Sequence, residues 1–181
     1  SSANSMYYGN GTFSPTKPQG GYPIGSLDVV AHEIGHAVCK ALIPGIEIDE
    51  GGGLRYQGES GALNEGFSDI WAACVTAYVN EKYPWPIMLP KNPWVLSAET
   101  DPAGIGIRDF ENPKAKGYPD TYKGLNWENA NPTEFNEDND YGGVHKNSSI
   151  LVKWFYLITA GGTGTSDLGY NYSVSGMDFM K

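Results

Sequence analysis

Residues 27–42 read Leu27-Asp28-Val29-Val30-Ala31-His32-Glu33-Ile34-Gly35-His36-Ala37-Val38-Cys39-Lys40-Ala41-Leu42, and this stretch decides how the rest of the chain is read. Ser26 stands where an N-cap belongs, Asp28 opposes the helix dipole in the first turn, and Pro44-Gly45 supplies a stop, so the pattern predicts a helix over 27–42. Positions i and i+4 of a helix share one face, which lets the imidazoles of His32 and His36 reach a single metal ion. Glu33 is turned by about 100° from His32. It sits at the rim of that face, within reach of a water beside the metal without being a ligand itself.

A hydrolytic zinc site uses three protein ligands and keeps a fourth position open. Asn64-Glu65-Gly66-Phe67-Ser68-Asp69 offers the third, on a second helix predicted from about Ser60 to Asn80 and stopped by Pro84 and Pro86. Glu65 and Asp69 are again i, i+4: one can ligate while the other accepts a hydrogen bond from a ligating histidine. An amphipathic helix with two acids on its wet face would carry the same pattern. His145 follows the acidic run Asn136-Glu137-Asp138-Asn139-Asp140 and opens a third helix, predicted over Val144–Ala160 and closed by Gly161-Gly162. A histidine beside carboxylates stays protonated near neutral pH and can stabilise an oxyanion; an exposed histidine in an acidic loop is the plain alternative.

The rest of the chain is organised around these helices. Tyr7 to Phe13 places Asn10-Gly11 between β-prone residues, a hairpin signal. Residues 14–25 read as loop, Gly51-Gly52-Gly53 as another, and 84–142 as a long, ordered surface excursion. The whole is α+β and mainly helical: one domain over 1–181, with 1–25 the remnant of a strand-rich half and 26–181 the helical half. Its 181 residues suffice for one domain with a real core. A net charge of −9 argues against nucleic acid and anionic membrane as partners. No stretch approaches the roughly 18 apolar residues of a membrane span. Ser1 to Ser5 is neither an initiator methionine nor a signal peptide, which suggests a trimmed product. Cys39 and Cys74 lie in apolar helical runs and read as buried free thiols.

Three separated motifs, His32–His36, Glu59-Ser60-Gly61-Ala62-Leu63-Asn64-Glu65 through Ser68-Asp69, and Gly142-Gly143-Val144-His145-Lys146-Asn147-Ser148, resemble the thermolysin-like zinc metallopeptidases in order and wording. The resemblance implies a zincin with the active-site helix at the cleft floor. It implies that His32, His36 and Glu65 ligate Zn²⁺ and that Glu33 activates a zinc-bound water for peptide hydrolysis. Asp69 would support His32 from behind. His145, oriented by Asp140, would stabilise the tetrahedral intermediate together with Tyr56. Arg108 would hold the substrate carbonyl beyond the scissile bond, and Val29 and Ile107 would line a pocket for an apolar residue after it. The resemblance further implies a secreted endopeptidase acting on peptides or proteins, with its own pro-segment as a further partner.

The chain also departs from the family pattern. Most of the N-terminal sheet and the closing C-terminal helices are missing, so a fragment is expected. The 29 residues from His36 to Glu65 exceed the family spacing, with Leu42–Glu50 as an insertion. Asp28 matches one carboxylate of the family's double-calcium cluster, but Thr76 replaces another and no acid occurs from Lys82 to Ser97. That calcium site is expected to be absent, although acids at Glu134–Asp140 could hold an ion. A non-catalytic zinc-binding fragment or peptide-binding module is the alternative from another class; an exopeptidase lacks residues to capture a free amine.

Overall fold

The computed structural model describes residues 6–8, 25–43, 53–83, 92–101 and 103–177. The expected hairpin at Asn10-Gly11, the loop at 14–24, most of the insertion after Leu42, the stop at Pro84 and Pro86 and most of the remnant over 1–25 lie outside them. Among the described residues the chain is mainly helical with two small antiparallel sheets.

Helix α1 spans Leu27–Leu42, the residues its sequence pattern predicts. Ser26 occupies the N-cap position with extended backbone, yet its side chain accepts no backbone N–H. Its hydroxyl donates to Asp28 instead, whose Oδ1 also takes the Val29 N–H at 2.9 Å. Helix α2 runs over Gly58–Lys82, two residues longer at each end than predicted. It starts early because Gly58 adopts φ +53, where a Cβ would stand 2.4 Å from the Ala130 carbonyl oxygen.

The predicted third helix is two. Residues Asp140 to Gly143 form a left-handed turn, with φ of 52, 49, 82 and 76, at the head of α3 (Asp140–Asn147). Right-handed backbone begins at Val144 as expected. Ser148 then divides α3 from α4 (Ser149–Ala160), its hydroxyl donating to the His145 carbonyl at 2.6 Å. Gly161 closes α4 with φ +77, and its N–H returns to the Leu157 carbonyl.

Over 92–101 and 103–110, part of the surface excursion expected for 84–142 enters the core instead. Strands β1 (Val95–Leu96) and β2 (Arg108–Asp109) pair antiparallel, with Leu96 opposite Arg108. Leu96, Arg108 and Phe110 are all buried. Phe110 and Leu96 join Ala31, Ala72, Ala73, Val152 and Phe155 in the core, and Trp94 packs on it against Phe110, Phe155 and Tyr156. A second hairpin, β3 (Gly162–Thr165) with β4 (Asn171–Val174), follows α4 and was not anticipated. Cys39 is buried and Cys74 half-buried, both as free thiols. No helix among the described residues is long and apolar enough to cross a membrane.

Close approach of α1 and α2 depends on Gly35. A Cβ there would lie 2.8 Å from the Cα of Ser68, so the added atom meets backbone and cannot be accommodated by a rotamer change. Helix propensity alone favours Gly35→Ala by about 1 kcal/mol. We expect the clash to reverse that sign and destabilise the protein by about 1–2 kcal/mol in urea unfolding. A stabilised variant would show that the two helices have room to spare.

Candidate metal centre

Two parallel ridges of α2 meet the histidine face of α1. Glu65 and Asp69 form one ridge and Asn64 and Ser68 the other, each pair one turn apart. His32 Nδ1 lies 2.8 Å from Asp69 Oδ1. His36 Nδ1 lies 2.7 Å from Asn64 Oδ1 and 3.0 Å from Ser68 Oγ. The Asn64 amide nitrogen donates to the Leu54 carbonyl, which aims its oxygen at the ring. In the neutral rings, both Nδ1 atoms therefore carry the proton and both Nε2 atoms present a lone pair. Those two Nε2 atoms face each other at 3.0 Å. Glu65 Oε2 lies 3.4 Å from His32 Nε2, and Glu65 Oε1 lies 3.4 Å from His36 Nε2.

The spacing provides a test for a metal. Three atoms bound at zinc distances around a tetrahedral centre stand roughly 3.4 Å apart. The observed separations of 3.0, 3.4 and 3.4 Å fit, and with both rings neutral the facing Nε2 lone pairs need a cation between them, a proton or a metal ion. His32, His36 and Glu65 form the one group of three such ligands among the described residues. Asp69 faces the back of His32 and is not one of the three.

Around this trio the other expected residues fall as follows. Tyr56 donates its hydroxyl to Glu65 Oε1 at 2.6 Å and lies 3.0 Å from His145 Nε2. His145 Nδ1 is 2.5 Å from Asp140 Oδ1, while Asp140 Oδ2 accepts the N–H groups of His145 and Lys146. Arg108 is buried, with Nε 2.7 Å from Asp69 Oδ2 and a terminal nitrogen 3.4 Å from Glu65 Oε2. Glu33 is half-buried on α1 beside the histidine face, and Val29 lies one turn before it. Ile107, just before Arg108, is 51% exposed; its backbone donates to Leu96.

The electrostatics follow from burial and these partners. Burial alone would lower the His32 pKa, but hydrogen bonds to Asp69 and Glu65 outweigh it and push it up to about 9 in the metal-free protein. Burial raises Glu65, yet the His32 hydrogen bond and the Arg108 and His145 charges hold it well below the usual carboxylate range. Burial and the Glu65 charge push the Tyr56 phenol well above its ordinary value. The hydrogen bond to Asp140 raises His145.

Sequence reasoning missed Asn64 and Ser68, although both lie inside the motif and one residue before Glu65 and Asp69. The i, i+4 rule applied to the neighbouring ridge would have found them. It also missed Tyr141, which carries no pattern of its own; its ring packs edge-on against Tyr56 with centroids 6.0 Å apart.

Comparison with known proteins places the chain in a family. The family profile described as "Thermolysin metallopeptidase, catalytic domain" matches residues 1–40, and that described as "Thermolysin metallopeptidase, alpha-helical domain" matches residues 52–180. "Neutral protease B" of Bacillus subtilis (strain 168) is 38% identical over 160 residues, covering 87% of this chain and 23% of the relative. "Bacillolysin" of Bacillus caldolyticus and "Thermolysin" of Alicyclobacillus acidocaldarius subsp. acidocaldarius are each 35% identical over 176 residues, covering 95% of this chain and 26% of the relative. The chain thus spans about a quarter of the length of these relatives. With both profiles matched in order, and relatives similar across nearly all of its length, this chain belongs to the thermolysin metallopeptidase family.

Proposed function

We propose that the chain is the zinc-binding, catalytic region of a secreted endopeptidase, a single catalytic domain over 1–181 that cleaves peptides or proteins. The observation that supports this most directly is the convergence of His32 Nε2, His36 Nε2 and the Glu65 carboxylate at 3.0–3.4 Å. His32, His36 and Glu65 would hold the ion, with Asp69 fixing the His32 tautomer and Asn64 that of His36. Zinc, when bound, would polarise the substrate carbonyl and lower the pKa of water at the site to about 7.

The chain's own groups do the rest. Glu33, one residue after His32 on α1, takes the proton from the attacking water. Tyr56 and His145, beside Glu65 in the trio, donate hydrogen bonds where negative charge develops on the carbonyl oxygen. Arg108 anchors Asp69 and Glu65 and offers its remaining N–H groups to the carbonyl that follows the scissile bond. Val29 and Ile107 favour an apolar residue there. The own pro-segment is a further partner. Against a double-calcium cluster, Thr76 stands at one carboxylate position, and both Asp28 oxygens already accept hydrogen bonds, Oδ2 from the Ser97 N–H at 2.6 Å.

Glu33→Gln should lower peptide turnover by about 10²- to 10⁴-fold while one equivalent of zinc remains bound by elemental analysis. Loss of the metal in that variant would make Glu33 a ligand. Zinc retained without any cleavage by the unsubstituted protein would instead make the chain a peptide-binding module.

His145 gives a pH prediction with a defined sign. Its folded pKa is raised, so the proton it donates is kept to higher pH than on a free imidazole and is lost as the pH climbs through the folded value. Asp140→Asn removes the principal cause, and the alkaline limb of kcat should move to lower pH, with zinc content unchanged. An unmoved limb would exclude His145 as the proton-bearing donor.

A further inference from the structure

We propose that Tyr141 is a positioning residue, whose ring holds the Tyr56 phenol in place over Glu65 and His145. The proposal rests on the peptidase reading above. Tyr56 is 41% exposed, and its ring touches three others: His36 at 6.3 Å, His145 at 6.1 Å and Tyr141 at 6.0 Å. His36 belongs to the metal trio and His145 is bound to Asp140. Tyr141 alone of the three has no hydrogen-bonding or ligating duty at the centre; what it offers Tyr56 is packing.

That packing matters because the Tyr56 hydrogen bonds are the ones that change. At rest the phenol donates to Glu65 and faces His145 Nε2. To donate to a developing oxyanion it must release Glu65, so these bonds cannot fix the ring through the reaction. An edge-on aromatic contact at an interplanar angle of 61° survives the exchange.

Tyr141 is itself rigidly placed. It has φ 49 and ψ 36, a left-handed conformation that bulky residues adopt only when their surroundings enforce it. Its N–H donates to the Asn136 carbonyl at 2.8 Å, and the preceding Asp140 is fixed by three hydrogen bonds. The following Gly142 presses on Gly58, where a Cβ would meet the Gly58 Cα at 3.1 Å. Gly58 is two residues beyond Tyr56, so the two tyrosines are carried by segments in direct backbone contact.

The test uses Tyr141→Asn and Tyr141→Phe in the zinc-loaded protein. Asn tolerates left-handed backbone and so keeps the turn while removing the ring; Phe keeps the ring. The readouts are kcat, KM, zinc content, and calorimetric affinity for a phosphonate peptide, whose tetrahedral oxygen occupies the place of the oxyanion. The Asn variant should lose about tenfold in kcat and about tenfold in phosphonate affinity, with KM within about twofold and zinc unchanged. The Phe variant should match the unsubstituted protein on all four.

A purely structural role would lower thermal stability in the Asn variant without moving kcat or phosphonate affinity per folded molecule, and that result overturns the proposal. Equal losses in both variants would also overturn it, by assigning the effect to the hydroxyl. If the unsubstituted protein cleaves no peptide and binds no phosphonate, the peptidase reading fails and this proposal falls with it. Full activity of the unsubstituted protein beside an unaffected Asn variant defeats the positioning role alone.

Discussion

Two carboxylates buried side by side govern this structure. Glu65 is 1% exposed and Asp69 fully enclosed, and Arg108 is the one buried guanidinium among the described residues that pairs with both. One negative charge remains in excess, where an uncompensated ion costs several kcal/mol. In the metal-free protein the His32 imidazolium offsets it. A divalent cation held by the trio would overbalance it and leave one net positive charge. That excess suits an anion developing on a carbonyl oxygen at the same point, so the condition for burying the carboxylates and the condition for stabilising a transition state are one.

Meeting that condition requires helices closer together than ordinary side chains permit. Gly35 of α1 rests against Ser68, while Gly61 and Gly66 of α2 rest against Val144 of α3 and Leu151 of α4. Each glycine in a helix interior costs up to about 1 kcal/mol of propensity. The core between the helices is correspondingly poor in large residues, with Ala31, Ala72 and Ala73 at its centre. Bulk is supplied by Phe155 of α4 and, from outside the helices, by Leu96 of β1 and Phe110 just after β2, with Trp94 packed beside them.

The helical frame was legible in the sequence because it is written in local periodicity. The bounds of α1, the pairing of His32 with His36 and of Glu65 with Asp69, and the stop at Gly161 all follow from the 3.6-residue repeat and capping chemistry. What escaped was non-local or concerned handedness. Leu96, Arg108 and Phe110 enter the core through a two-residue ladder, too short to leave an alternating pattern. The left-handed turn at Asp140–Gly143 includes two residues that ordinarily avoid positive φ, so only the two glycines hinted at it. Ser148 reads as an ordinary helical position until its hydroxyl is seen to take the His145 carbonyl. Strand β3 of the second hairpin is built of Gly and Thr alone, alternately half-buried and exposed, a composition equally at home in a loop.

The two sides of the centre are held in different ways, and the difference follows their work. The ligating side rests on right-handed helices, with every imidazole fixed from behind by a side chain of α2. An ion tolerates errors of only a few tenths of an ångström in its ligands, and regular helices supply that accuracy. The side proposed to face the developing charge rests on a loop, at Tyr56, and on a strained turn, at Asp140–Gly143. Its groups are bound to each other at rest, and the proposed mechanism has them change partners as charge appears. A residue that exchanges hydrogen bonds needs a fixed backbone origin but a side chain free to trade acceptors, and a loop pinned by packing provides both. The left-handed turn, held by Asp140 below and by Gly142 against Gly58, is what makes such a loop rigid enough to serve.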